Sequence, residues 1–174
     1  MSALNLPVVS DSFEHYMSQI SRFDILDRNQ EVELARLYHE TNDLDAAHRL
    51  ICANLRFVVK IANEYRQYGL RIQDLVQEGN IGLMLAVKKF DPDRGIRLIS
   101  YAVWWIRAYI QSFIIRSWSM VKIGTTQAQK KLFFKLNQTR KKLLNLDGTA
   151  SVDEIASELD VNDSDVEEMS ARMA

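Results

Sequence analysis

Cysteine and histidine are scarce in this chain of 174 residues. Cys52 is the only cysteine, so an internal disulfide is excluded, and a lone cysteine in an apolar helix is typical of an inert packing residue. His15, His39 and His48 lack the spacing of a metal site. We therefore expect no metal, no cofactor and a reducing, cytoplasmic location.

Long apolar runs are also missing, because charged residues interrupt the longest of them, which argues against a membrane span. The N-terminal stretch MSALNLPVVS has neither a basic start nor a long apolar segment, so it does not match a secretory signal. No nucleophile–base pair, metal cluster or phosphate-binding loop is recognisable in the sequence, and we expect no enzyme.

Glycine and proline number only six and two, and apolar residues recur at three- and four-residue steps. This pattern predicts an all-α fold. A capping box at Ser151 and Glu154 marks one helix start. We expect helices after a cap at Ser10 or Asp11, then over about 30–38, 44–68, 72–90, from the DPDRG turn to about 118, over about 127–146, and in SVDEIASELD and NDSDVEEMSARM.

Acidic residues are absent from Arg94 to Leu146, a window that holds eleven lysines and arginines. The whole chain carries a net charge of −1, so the remainder carries −12. The basic window is rich in isoleucine, phenylalanine and tryptophan and should fold rather than form a disordered tail. Such asymmetry predicts a polyanionic partner for the middle of the chain.

The segment ISYAVWWIRAYI has more aromatic surface than a core helix needs. On a helical wheel with about 100° per residue, a core stripe centred on Ile106 leaves Tyr101 and Trp104 on the other side and Trp105 on the flank. These rings either pack under another helix or subunit, or stack on unpaired bases over a basic surface. The wheel alone leaves both interpretations open. The predicted stripe comprises Ile99, Ala102, Val103, Ile106, Tyr109, Ile110 and Phe113.

The segment IQDLVQEGNIGLML also has a second, mixed face. Apolar residues among carboxylates and amides on this outer face predict a protein docking site, and burial on two sides is the alternative. Gly79 and Gly82 each cost helix stability, which close approach of another helix would explain. The outer face comprises Asp74, Gln77, Glu78, Ile81, Met84 and Leu85.

Residues 54–110 resemble the second domain of bacterial RNA polymerase sigma factors of the primary type, through DLVQEGNIGLM followed by YAVWWIR. The stretch SWSMVKIGTTQAQKKLFFKL resembles the heat-shock branch. The resemblance implies an all-α fold with a domain 2 helical bundle over residues 1–122, for core-polymerase binding and minus-ten recognition and melting. It also implies a small helical domain 3 over 123–174, on the extended minus-ten side. The family's C-terminal minus-thirty-five domain is missing, so we expect a fragment.

The resemblance further implies roles for individual residues. Five residues match positions that bind the clamp helices of the largest core-polymerase subunit: Asp74, Gln77, Glu78, Asn80 and Met84. Ile81 lies with them on the outer face and is expected to take part in binding. The resemblance implies promoter-DNA binding, above all to the single-stranded minus-ten non-template strand, for a larger set of residues. Its members are Asn54, Arg56, Phe57, Phe90, Asp91, Arg94, Tyr101, Trp104, Trp105, Arg107, Ala108, Gln111, Lys122, Thr126 and Gln129.

We therefore expect a sigma subunit that directs promoter-specific initiation, for heat-shock or stress genes. Regulation by chaperones or proteases is typical of that branch. A duplex-binding regulator is one alternative, since the two C-terminal helices have helix-turn-helix spacing, although their acidity does not suit phosphate. A polymerase-binding adaptor that uses only the outer face is the other alternative.

Overall fold

The computed structural model describes residues 13–117, 126–147 and 150–173, and every regular element in these ranges is helical. The predicted all-α fold is confirmed. The eight α-helices in the described ranges are α1 (Phe13–Ile20), α2 (Arg28–Thr41), α3 (Leu44–Asn63), α4 (Ile72–Lys89), α5 (Leu98–Ser117), α6 (Gln127–Asp147), α7 (Val152–Leu159) and α8 (Asp163–Met173), with 3-10 turns at Arg66–Tyr68 and Pro92–Arg94.

Helices α2 and α3 differ from the sequence prediction by several residues, and α2 ends at Thr41, three residues later than predicted. Helix α2 begins two residues earlier than predicted, because Asp27 and Gln30 form a capping box. The side chain of each residue accepts the backbone N–H of the other. Helix α3 ends at Asn63, and the chain continues through a 3-10 turn to Gly69, which has the left-handed φ of +74°. The predicted cap at Ser10 or Asp11 and the bend near Gly124 lie outside the described residues.

The chain divides into two compact units, Met1–Trp118 and Ser119–Ala174. The expected boundary after Lys122 lies outside the described residues. In the second unit, Leu132, Phe133 and Leu136 of α6 are buried, and α6 packs against both α7 and α8. The predicted capping box at Ser151 and Glu154 is present at the start of α7.

The core of the first unit forms where α5 packs against α4. Every fourth residue of α5 is fully buried, which is the ridge expected for helix packing. A Cβ atom on Gly82 would lie 2.7 Å from the backbone oxygen of Trp105 and 2.9 Å from the Cα of Ile106. The predicted close approach at this glycine is therefore confirmed. The ridge consists of Leu98, Ala102, Ile106, Ile110 and Ile114.

The ridge differs from the predicted stripe at its edges. Leu98 and Ile114 are fully buried although the wheel placed them outside it. Four of the predicted members are only half-buried: Ile99, Val103, Tyr109 and Phe113. In the described part of the chain, α5 is the one helix long and apolar enough to cross a bilayer by length and composition. Its packing against α3 and α4 accounts for the buried part of that apolar character, the ridge from Leu98 to Ile114.

Candidate functional site

A chain of aromatic rings begins at the end of α4 and runs along α5. The ring centroids of Phe90 and Tyr101 lie 6.1 Å apart, and those of Tyr101 and Trp105 lie 6.3 Å apart in an edge-to-face arrangement. The ammonium group of Lys89 lies 4.6 Å from the centroid of the Trp105 ring, a cation–π contact. Phe90 is buried, Tyr101 and Trp105 are half-buried, and the chain therefore leads from the core to the surface.

Trp104 lies beside this chain and is 74% exposed. It is the most exposed of the large hydrophobic side chains in the described part of the chain. The helix that bears it has no acidic residue, and Arg107 lies three residues further on. An indole in this setting contributes little to the core and offers a ring face to a ligand.

The turn between α4 and α5 carries two of the predicted pocket residues, Asp91 and Arg94, which form an exposed ion pair at 3.2 Å. Helix α2 holds this turn at three further points. The Arg28 guanidinium donates to the carbonyl oxygen of Gly95, and Arg36 donates twice to the carboxylate of Asp93. His39 donates from Nε2 to the carbonyl oxygen of Phe90. The turn is therefore fixed from the α2 side.

The start of α5 is fixed by Glu31, a carboxylate of α2 that is only 2% exposed. One of its oxygens accepts the backbone N–H of Leu98 at 2.8 Å, and both oxygens accept the guanidinium of Arg97. A negative charge at a helix N-terminus is favourable because the helix dipole is positive there. Glu31 was absent from the predicted site residues, and its only sequence signal is a charged residue on a helix.

Two other predicted DNA-binding residues of α5 contact the segment that directly follows α3. Arg107 forms an ion pair with Glu64 at 3.1 Å, and Gln111 donates to the hydroxyl of Tyr65 at 2.9 Å. Burial raises the pKa of the Tyr65 hydroxyl above its ordinary value. Ala108 is exposed on the same helix.

The predicted site residues of α3 are buried or half-buried. Asn54 is buried, and its amide nitrogen donates to the carbonyl oxygen of Leu50 at 2.8 Å, a contact within α3. The guanidinium of Arg56 donates to the carbonyl oxygens of Ile20, Ser21 and Phe23, and thus anchors the segment that follows α1. Phe57 is half-buried.

In the second unit, Thr126 and Gln129 cap the start of α6. The Thr126 hydroxyl accepts the backbone N–H of Gln129 at 3.2 Å, and the Gln129 side chain accepts the backbone N–H of Thr126 at 3.4 Å. Lys122 lies outside the described residues. The contacts of Thr126 and Gln129 thus account for a helix start, and their predicted proximity to DNA phosphates is still a prediction.

The outer face of α4 combines apolar and acidic side chains at the surface. Ile81 and Met84 are 44% and 39% exposed, which is unusual for large apolar residues one turn apart. Asp74 pairs with Arg71 at 2.9 Å, and Glu78 lies 3.8 Å from the guanidinium of Arg116 on α5. Apolar contact area rimmed by charge is typical of a protein docking site.

Asn80 differs from the other predicted docking residues because it is 9% exposed. Its amide nitrogen donates to the hydroxyl of Tyr16 and to the side-chain oxygen of Gln77, each at 3.3 Å. Among the described residues, its Oδ1 atom is the buried side-chain N or O atom that has no hydrogen-bond partner. Asn80 therefore lies beneath the outer face rather than on it.

The fold and these two surfaces fit the class of helical transcription proteins. Two family models match the chain: "Sigma-70 factor, region 1.2" matches residues 11–44, and "Sigma-70 region 2" matches residues 50–119. The chain belongs to the sigma-70 family of RNA polymerase sigma factors.

Curated relatives agree with this family. The chain is 55% identical to the RNA polymerase sigma-C factor of Myxococcus xanthus, over 99% of this chain and 60% of that protein. It is 62% identical to the sigma-B factor of the same organism, over 71% of this chain and 52% of that protein. It is 50% identical to the RNA polymerase sigma factor RpoH of Zymomonas mobilis, over 94% of this chain and 55% of that protein. The chain thus spans about 60% or less of the length of these relatives.

Proposed function

We propose that this protein is a promoter-recognition subunit without catalytic activity, which binds core RNA polymerase and directs initiation by recognising and melting the minus-ten element. The observation that carries the proposal is the exposed indole of Trp104 on an acid-free helix, next to the Phe90–Tyr101–Trp105 ring chain. The outer face of α4 supports the polymerase-binding part, through exposed Ile81 and Met84 among carboxylates and amides. Its acidity suits a basic surface of the clamp helices.

Melting without an enzyme needs tighter binding of the open than of the closed promoter, because a ligand can shift an equilibrium only by its differential affinity. Unstacking a base costs a few kcal/mol. Stacking on an aromatic side chain returns about 1–3 kcal/mol for each base. Tyr101 and Trp104 offer rings for such contacts, and the basic side chains Arg94 and Arg107 attract the phosphate backbone.

The adenine pocket of the minus-ten element would form at the turn after α4, where Asp91 and Arg94 are exposed. Buried Phe90 would form the floor under Tyr101 rather than a direct contact. Buried Asn54 and internally bonded Arg56 would likewise support a second base pocket from below, and half-buried Phe57 would line it.

We assign residues 1–122 to sigma domain 2 and 123–174 to sigma domain 3. Three of the relatives carry the name RpoH from different organisms, and the sequence SWSMVKIGTTQAQKKLFFKL resembles the heat-shock branch. These observations support a role in heat-shock or stress transcription in the cytoplasm, under the control of chaperones or proteases.

The test compares three DNA probes in the presence and absence of purified core polymerase: duplex minus-ten DNA, a fork junction with an unpaired non-template strand, and the unpaired strand alone. A sigma subunit binds the fork and single strand in preference to duplex, and does so with core polymerase present. Preference for duplex would instead indicate an ordinary DNA-binding regulator. Core binding without preference among the three probes would indicate an adaptor.

A further inference from the structure

The contacts of Asn80 connect the outer face of α4 to a residue that lies far from it in sequence. Tyr16 on α1 is fully buried, yet its hydroxyl accepts a hydrogen bond from the Asn80 amide, 64 positions further along the chain. The same amide donates to Gln77, which is half-buried on the outer face. A continuous path of hydrogen bonds thus runs from α1 through Asn80 to the surface.

The orientation of the Asn80 amide depends on these two bonds. Its Oδ1 atom is buried and has no partner among the described residues, so no acceptor contact helps to hold the group. A buried amide that lost Tyr16 as well would be poorly satisfied and free to rotate. Gln77 would then lose the donor that fixes its side-chain oxygen.

Tyr16 is suited to this supporting role. Its hydroxyl is neutral at neutral pH and its oxygen accepts a hydrogen bond, and burial raises the pKa further above its ordinary value. Its ring stacks with Phe13 at a centroid distance of 6.3 Å, so loss of the hydroxyl alone would leave the ring in place. Tyr16 itself cannot touch a docked protein, because none of its surface is exposed.

We propose that Tyr16 is a positioning residue for polymerase docking, which acts by holding Asn80 so that Asn80 holds Gln77 in its docking conformation. This inference rests on the proposed function, since it takes the outer face of α4 as the docking site. It also assigns Asn80 a supporting contact in place of a direct one. A side chain that is held before docking loses less conformational entropy when the partner arrives.

The experiment measures the affinity of this chain for purified core polymerase by competition with a labelled reference chain. Tyr16→Phe removes one oxygen and is expected to weaken core binding about three- to tenfold, the effect of one hydrogen bond. Asn80→Ala and Gln77→Ala should weaken binding as well. In the Gln77→Ala background, Tyr16→Phe should have no further effect, because the side chain that it positions is gone.

Tyr65→Phe is the matched control. Like Tyr16→Phe, it removes the hydroxyl of a buried tyrosine that accepts a hydrogen bond from a side-chain amide, here that of Gln111. That contact joins the segment after α3 to α5 and involves no residue of the outer face. We expect Tyr65→Phe to lower the melting temperature about as much as Tyr16→Phe and to leave core affinity within about twofold, a difference below the value of one hydrogen bond. If the role of Tyr16 were purely structural, Tyr16→Phe and Tyr65→Phe would change core affinity to the same extent.

The outcomes separate the inference from the function on which it rests. If Gln77→Ala and Asn80→Ala weaken core binding while Tyr16→Phe does not, Asn80 makes a direct contact and the inference is wrong, although the docking face stands. If Gln77→Ala binds core polymerase as wild type does, this part of the docking face fails and the inference fails with it. Should Tyr16→Phe not fold, additive losses in the Asn80→Ala and Gln77→Ala pair would overturn the inference.

Discussion

Glu31 Oε1 accepts the backbone N–H of Leu98 at 2.8 Å, so a carboxylate from α2 caps the first turn of α5. The same carboxylate receives the guanidinium of Arg97, and Arg97 also donates to the carbonyl oxygen of Leu26. The helix that carries the exposed aromatic side chains is thus held at its start by a residue 67 positions earlier.

Removal of the Glu31 charge is expected to destabilise the first unit. Glu31→Gln leaves a weaker acceptor at the Leu98 N–H and removes the partner of Arg97, so the free energy of unfolding should fall by about 1–3 kcal/mol. Urea unfolding followed by circular dichroism measures the change. Arg36→Ala is the control, because the Arg36–Asp93 pair is exposed on both sides and should contribute less than about 1 kcal/mol. Equal losses in the two variants would contradict a special role of Glu31.

A second stability prediction concerns the contact of α4 with α5. Alanine is a better helix former than glycine by about 1 kcal/mol, so Gly82→Ala would stabilise an isolated helix. Here the added Cβ would meet backbone atoms of Trp105 and Ile106 that cannot rotate away, and the net effect should be a loss of about 1–3 kcal/mol.

Gly79→Ala provides the comparison for Gly82→Ala. Its nearest obstacle is a side-chain methyl group, Val58 Cγ1 at 2.6 Å, rather than backbone. Val58 is buried in α3 and has little rotamer freedom, so the methyl group can yield only through a small shift of that side chain. We expect a smaller loss for this variant when the two are unfolded in urea under the same conditions. A stabilised Gly82→Ala protein would show that α4 and α5 are not packed as closely as described.

Periodicity in the sequence predicted the helices and the central part of the α5 core, because a buried helix face repeats every three or four residues. It also predicted that Trp104 lies away from the core, which its 74% exposure confirms. The contacts of Glu31 and Tyr16 could not be predicted in this way. Each joins residues more than sixty positions apart, and a single chain without an alignment has no signal for such pairs.

Arg56 shows that residue type alone can also suggest a ligand contact where the side chain serves the fold. A basic residue near a predicted DNA site is naturally assigned to phosphate, yet its guanidinium donates to three carbonyl oxygens of one segment. Those carbonyls become available only because α1 ends at Ile20, next to α3. Charge alone does not show whether an arginine serves the fold or a ligand.

Cys52 should behave as an inert thiol in the folded protein. Burial raises its pKa from 9.0 to about 11, so the nucleophilic thiolate is rare at pH 8. We expect iodoacetamide to modify it slowly in buffer and rapidly in urea, with the reaction followed by mass spectrometry. Fast modification of the folded chain would contradict the burial of Cys52.

The same shift gives a pH dependence with a defined sign. The folded thiol keeps its proton more tightly than the unfolded one, so its contribution to stability is complete below about pH 9 and is lost as pH rises towards 11. The buried tyrosines have raised pKa values too, so the comparison must be with Cys52→Ala, which retains them. The free energy of unfolding of that variant should fall less steeply between pH 9 and 11.

Glu78 on the outer face can be tested against its internal partner, Arg116. Glu78→Lys should weaken core-polymerase binding, because it reverses a charge where the proposed partner is basic. In the double variant Glu78→Lys with Arg116→Glu, the internal pair is restored with opposite polarity, and thermal stability should return towards wild type. Core binding should stay weak in a pull-down. Recovery of binding in the double variant would mean that Glu78 supports core binding through its ion pair with Arg116 and not through direct contact with the polymerase.

The two adjacent tryptophans should separate in their effects. Trp104→Ala removes a side chain that is 74% exposed, so the melting temperature should change little. Trp105→Ala removes a ring that contacts both Tyr101 and Lys89 and should cost measurable stability. Lys89→Met, which keeps the length but not the charge, shows how much of that cost comes from the cation–π contact.

On a promoter, Trp104→Ala should slow opening and leave closed-complex formation nearly intact, because an exposed ring contributes only when a base stacks on it. The expected loss is about 1–3 kcal/mol on the melted state. Permanganate footprinting on duplex and premelted templates measures it, and the premelted template should restore most of the signal. The premelted template should restore less of the signal for Tyr101→Ala, because a base that is already unpaired must still be held. If duplex and premelted templates suffer equally in Trp104→Ala, the exposed indole does not act in strand opening.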